Sequence, residues 1–166
     1  ACVIASLAPL TPAFAEPAKV KSPSEEKSNE AEAILQPLSE RFAHKDTTEV
    51  PDFQKHVVPL LGRLGCNGRA CHGSFQGRGG FQLSLFGYDF KTDHEALLED
   101  ASGRVDIDDV AESLILSKPS DADLHEGGKR FAKGSWQHHV LKRWIDVGAQ
   151  YDSNLIRELD RIDVSP

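Results

Sequence analysis

Two thiols and an imidazole lie within seven residues: Cys66, Cys71 and His72, in the string CNGRACH. A cysteine pair with a histidine directly after the second thiol is what covalent haem attachment requires. Each thiol adds across one haem vinyl group, and the imidazole takes an axial place on iron. The usual spacing is Cys-x-x-Cys-His, whereas Asn67, Gly68, Arg69 and Ala70 separate the thiols here. Zinc takes the same donor types at about 2.0–2.3 Å. Neighbouring side chains diverge by about 100° on a helix and oppose one another on a strand. Cys71 and His72 therefore do not converge easily on one small ion, but a macrocycle separates the two attachment points. An iron–sulfur cluster needs four thiolates, and the chain has three cysteines, the third being Cys2. A Cys66–Cys71 disulfide across the turn at Gly68 meets the Cα limit of about 7 Å. On these residues alone, haem and disulfide both stay open.

A second histidine bears on the question. In HEGGKRF, from His125 to Phe131, the imidazole precedes Gly127 and Gly128 and is free of helix constraints. It is the expected iron ligand on the side opposite His72. The chain contains no methionine, so it offers no thioether for His/Met ligation. An open or water-bound sixth position is the rival, and His94, His138 and His139 are lesser candidates. His44 and His56 read as solvent-facing. Lys129 and Arg130 are candidates for pairing with haem propionates. Asp106, Asp108, Asp109, Asp121, Asp123 and Glu126 read as a solvated acidic face, because they do not follow the alternating spacing of a calcium loop.

These residues have to be positioned by a small domain. All 13 glycines lie between Gly62 and Gly148, which places the folded unit at about residues 51–152. Phe53, Val57, Leu60, Leu61 and Leu64 recur at helical spacing and would deliver the attachment loop, with a bend or restart at Pro59. The glycine-rich run after His72 would wrap a flat ligand. Phe81, Leu83 and Leu85 alternate with polar residues, as in a short extended piece. Thr92 and Glu95 form a capping box that opens a helix, with His94 facing water. Asp109 and Glu112 mark a further helix start, with Leu114, Ile115 and Leu116 buried and Pro119 as its stop. Ser135 and Gly148 bracket the last helix, whose Trp144 should pack on the Phe53–Leu64 helix. The fold class expected is all-α, with glycine-rich loops and at most one short extended segment.

Residues 1–15 read as the back half of a secretory signal peptide ending at Ala15, its apolar run too short to span a bilayer. Export suits covalent haem and a disulfide equally, and makes the expected location periplasmic or cell-envelope; a lipid on Cys2 stays open. Residues 16–50 read as a polar linker with one marginal helix over 28–44, and residues 153–166 as a connector. The formal charge of −7 makes nucleic acid and anionic membrane poor partners. It favours brief docking of a redox partner with basic surface.

The ordered strings RLGCNGRACHG, GRGGFQLSLFGYD, SLILSKPS, HEGGKRF and LKRWIDVGA resemble the cytochrome c domain near the N-terminus of large exported planctomycete proteins, over about residues 53–150. The resemblance implies a cytochrome c-like helical fold carrying one haem c, Cys66 and Cys71 at the thioether positions and His72 as proximal ligand. The Cys-x4-Cys-His spacing is itself a variant within that family. The resemblance also aligns His125 with the family's His-Gly-Gly segment, which here has Glu126 after the histidine, and implies further domains beyond LDRIDVSP. The function expected is single-electron transfer rather than enzymatic turnover. Two alternatives remain: a five-coordinate haem that binds small ligands in a sensory or peroxidase-like role, or a haem-free interaction module stapled by Cys66–Cys71.

Overall fold

The computed structural model describes residues 36–98 and 103–154. The signal-peptide reading, the start of the 28–44 helix and the connector from residue 155 lie outside the described residues. The domain is all-α, with five α-helices: α1 (Leu38–Arg41), α2 (Val58–Arg63), α3 (Phe90–Leu98), α4 (Leu114–Ser120) and α5 (Trp136–Asp146). The extended piece amounts to one isolated bridge between Arg78 and Phe81. No helix among the described residues is long and apolar enough to cross a membrane.

Pro59 shapes the entry to the Cys66–His72 loop. Its ring crowds the carbonyl four residues back and it has no N–H to donate. The chain accommodates this by starting the segment as a π-turn, Phe53–Val57, in which the Val58 amide reaches back to the Phe53 carbonyl. The Asp52 carboxylate caps that turn by accepting from the Lys55 amide at 2.8 Å. α2 then buries Val58, Leu60 and Leu61 and ends just before Cys66.

α5 holds the core together. Ser135 is its N-cap, as expected, and Val140, Leu141, Trp144 and Ile145 are buried. Gly148 takes φ 95° beyond its end, a conformation that suits a residue without Cβ. The Trp144 ring stacks on Phe53 with centroids 5.3 Å apart and planes 28° apart, so the expected packing of this helix on the Phe53–Leu64 segment is present. The Trp144 Nε1 proton goes to the Gln150 carbonyl at 3.0 Å, which satisfies the one polar atom of a buried indole.

Several details differ from the sequence expectations. Residues ahead of position 51 also pack into the core. Phe42 is fully buried, and its carbonyl accepts from His139 Nδ1 at 2.9 Å. One aromatic side chain thus recruits part of an otherwise polar linker into the core. Arg41 pairs with Glu49 and approaches His56 Nε2 at 3.3 Å, so His56 is half-buried rather than solvent-facing. The Thr92 capping box does not form. α3 starts three residues earlier, at Phe90, and the Asp89 carboxylate takes the cap by accepting from the Thr92 amide at 3.0 Å and the Thr92 hydroxyl at 2.9 Å. His94 does not face water either. It donates through Nε2 to the Ala149 carbonyl at 2.7 Å and packs edge-on to Phe53. Pro119 lies inside α4, whose final turn runs on to Ser120. The Asp109–Glu112 region forms a 3-10 turn, Val110–Glu112, ahead of α4.

Candidate functional site

The Cys66–His72 loop is a run of tight turns locked by its own backbone. The Cys71 amide donates to Gly68 O and the His72 amide to Cys66 O, both at 2.9 Å. The loop turns so closely that a Cβ on Gly73 would sit 2.0 Å from the Asn67 carbonyl oxygen. Only glycine fits there. The Leu83 amide donates to the His72 carbonyl at 2.8 Å and ties the loop to the returning chain.

His72 is oriented by that returning chain. Its Nδ1 donates to the Phe81 carbonyl at 3.1 Å, and its ring meets the Phe81 ring edge at 4.9 Å. The guanidinium of Arg104, a buried residue, lies 4.8 Å from the Phe81 ring centroid. Burial holds the His72 imidazole below the ordinary histidine range, with the Phe81 carbonyl opposing. A neutral ring is the form that can donate a lone pair to a metal.

His125 is presented on a turn it closes itself. Its Nδ1 donates to the Gly128 carbonyl at 2.8 Å, and its own carbonyl accepts from the Gly128 amide at 2.7 Å. The turn is anchored beyond Gly128 by the Arg130 amide, which donates to the Pro119 carbonyl at 2.7 Å. Gly127 lies close under this ring, since a Cβ on it would stand 2.7 Å from His125 Cε1.

The structure brings the two imidazoles together. Their centroids are 6.3 Å apart and their planes 23° apart. Each ring is fixed through Nδ1 to a backbone carbonyl, which leaves Nε2 as the nitrogen not engaged by those bonds. A carbonyl on the far nitrogen is the arrangement that orients a histidine toward a metal. Two metal–nitrogen bonds of about 2.0–2.1 Å, plus about 1.1 Å from nitrogen to ring centre on each side, span about 6.3 Å. That is the centroid distance a metal would require if the two Nε2 atoms faced one another across it.

Both thiols and both imidazoles line one open cleft of about 210 Å³. Its walls are apolar, with Leu61, Phe81, Leu83, Leu97 and Ile115 among them, and Arg78, Arg104, Lys118 and Arg130 also face it, against the single carboxylate of Glu126. Neither thiol is in a disulfide. Arg130 Nη2 lies 3.8 Å from Cys71 Sγ. Burial pushes the Cys66 thiol up to about 11, with Arg130 pulling the other way. Among the described residues, no three His, Cys, Asp or Glu side chains are placed to share one metal ion. The thiols therefore line the cleft without converging on the imidazole pair.

Of the residues singled out from sequence, Cys66, Cys71, His72, His125 and Arg130 meet at this cleft. Lys129 does not line it and is exposed. His94 belongs to the Phe53 and Trp144 cluster. His138 is half-buried beside Phe131, and His139 holds Phe42. Sequence reasoning missed Arg78, Arg104 and Lys118. Arg104 left one trace, as the only Lys or Arg between Lys91 and Lys118 in an acidic stretch. No family model, curated protein or solved structure matches the chain.

Proposed function

We propose that this chain is a cytochrome c-like domain that holds one haem covalently through Cys66 and Cys71 and passes single electrons. The observation that carries this reading is the His72–His125 pair, with centroids 6.3 Å apart and each Nδ1 tied to a carbonyl. That separation suits one metal between two imidazoles. The donor set fits the group: two thiols, two imidazoles, apolar walls for a macrocycle and four cations for its carboxylates line one cleft. Zinc fits less well, because the thiols do not join the imidazoles around a common point.

When bound, the haem would supply one-electron redox chemistry. The chain's own residues do the rest. The Phe81 and Gly128 carbonyls fix the tautomer and orientation of the two imidazoles. A haem held by both His72 and His125 would offer no open position to oxygen or peroxide, and a second imidazole in place of a thioether would favour the ferric state. Leu61, Leu97 and Ile115 keep water from one wall, while the cations offset propionate charge in an otherwise acidic protein. Export to the periplasm or cell envelope, and continuation into further domains of a longer chain, belong to the same proposal.

A second reading is favoured by the His125 turn, which closes on itself through Gly128. His125 can therefore leave as a unit and open a site for a small ligand. Both readings are tested by expressing the chain with and without haem-attachment machinery, then recording intact mass and visible spectrum. The first reading expects one haem per chain, attached only when the machinery is present, and little change when carbon monoxide meets the reduced protein. A large change with carbon monoxide supports the second. A colourless protein with Cys66 joined to Cys71 refutes both.

A further inference from the structure

Among the described residues, Asp93 is the one buried carboxylate, at 1% exposure. Taking a carboxylate out of water is costly unless it is paired and hydrogen-bonded. No cation offsets this one, and the charge that acts on it is Asp89, of the same sign. Burial pushes the Asp93 carboxyl above the ordinary aspartate value, with the Ser84 donors pulling the other way. Its place in the first turn of α3 invites a helix-end role, but its oxygens are engaged elsewhere. Oδ1 accepts from the Ser84 amide, and Oδ2 accepts from the Ser84 hydroxyl at 2.8 Å. The Asn67 side chain is buried nearby, since a Cβ on Gly87 would stand 3.2 Å from Asn67 Nδ2 and 3.9 Å from Asp93 Oδ2. That amide does not bond to the carboxylate, which therefore depends on Ser84.

Ser84 stands between the two bonds that tie the returning chain to the Cys66–His72 loop. On one side the Leu83 amide donates to the His72 carbonyl at 2.8 Å, and on the other the Phe86 amide donates to the Asn67 carbonyl at 3.0 Å. Three residues before Ser84 is Phe81, whose carbonyl accepts from His72 Nδ1 at 3.1 Å. A carboxylate that grips Ser84 by both amide and hydroxyl fixes, from α3, the stretch of chain that orients the imidazole. We infer that Asp93 is a positioning residue for His72, acting through Ser84 on the 81–83 segment. This rests on the reading of His72 as an iron ligand. Partners beyond the ligand itself set its orientation and basicity, and Asp93 extends that support to a helix that does not touch the imidazole through any bond of its own.

The test compares Asp93→Asn, Asp93→Ala and Ser84→Ala in the full chain, with and without haem. In the haem-free chain, Asp93→Asn and Ser84→Ala should each speed Leu83 amide exchange by about tenfold, the equivalent of roughly one hydrogen bond. The nitrogen shifts of the His72 ring should show that Nδ1 is no longer held as the donor. Asp93→Ala should exceed both, and if it does not fold the two milder variants decide. In the haem-loaded chain, Asp93→Asn and Ser84→Ala should both raise the midpoint potential, because a weaker Phe81 bond makes His72 a poorer donor to ferric iron. Ser84→Ala, read at alkaline pH, keeps the carboxylate charge and so separates orientation from loss of charge. A rise in Asp93→Asn alone is a charge effect and overturns the inference. So does a lowered urea midpoint with unchanged His72 shifts, Leu83 exchange and potential, which leaves electron transfer standing. Changed His72 shifts and Leu83 exchange in a chain that takes up no haem keep Asp93 as the group that orients His72 and remove the electron-transfer reading.

Discussion

Replacing Gly127 by alanine should open the sixth position without touching His125 itself. The new Cβ would stand 2.7 Å from His125 Cε1, and ordinary carbon contacts begin at about 3.5 Å. The ring must therefore retreat by roughly 0.8 Å. It cannot swing aside freely, because Nδ1 is bound to the Gly128 carbonyl at 2.8 Å, and breaking that bond costs about 0.5–1.5 kcal/mol. Metal–ligand distances tolerate about 0.2 Å, so a displacement of this size detaches Nε2 from a metal seated between the rings. The assay is the visible spectrum of the reduced, haem-loaded variant before and after carbon monoxide. The wild type should change little, and Gly127→Ala should show the full shift of an accessible site. Gly128→Ala is the control. Nothing lies within 4 Å of its added methyl, although φ 72° makes it strained, so stability should fall while the spectrum stays six-coordinate. If Gly127→Ala and the wild type respond alike to carbon monoxide, His125 is not the ligand.

Four further outcomes follow from the same geometry. Cys66→Ser and Cys71→Ser should each retain pigment through one remaining thioether, and the double variant should release it to organic extraction, read by intact mass. Gly73→Ala places a methyl 2.0 Å from the Asn67 carbonyl; it should lower the urea midpoint by an amount corresponding to more than about 3 kcal/mol and reduce haem incorporation. Trp144→Ala removes a fully buried ring stacked on Phe53 and should cost about 3–5 kcal/mol in denaturant unfolding, leaving the spectrum of the surviving folded fraction unchanged. Burial lowers the imidazoles of His56 and His138 below their ordinary value, so as pH falls the unfolded chain takes up these protons first. Their contribution is intact above about pH 6.5 and is lost as pH drops toward the folded values. The urea midpoint should therefore fall from pH 7.5 to 5.5, and less so in His56→Gln; an unchanged pH dependence in that variant would contradict the burial argument.

Features set by near neighbours were legible in the chain. The Cys66, Cys71 and His72 constellation is contiguous, so its chemistry could be weighed from spacing alone. The Ser135 cap, the apolar stripe of α5 and its stop at Gly148 are also local, and so is the all-α class, which follows from helical periodicity in the Phe53 and Val140 segments. His125 was identifiable as a histidine free of a helix and followed by two glycines. Features set by distant partners were less legible. Asp89 displaces Thr92 as a cap because its carboxylate takes both the amide and the hydroxyl of Thr92. His94 and His56 look like surface residues until Trp144 and Arg41 fold over them.

By itself, the sequence determined which groups are present and which of them are adjacent: two thiols beside an imidazole, a second imidazole on a glycine turn, and helices with apolar faces. Only the tertiary structure decided that His125 stands 6.3 Å from His72, that Arg78, Arg104, Lys118 and Arg130 face the same cleft, and that Phe42 belongs to the core. The reason is physical. Helix periodicity and turn chemistry act over a few residues, whereas the separation between two imidazoles far apart in the chain is the sum of every helix packing and loop closure between them.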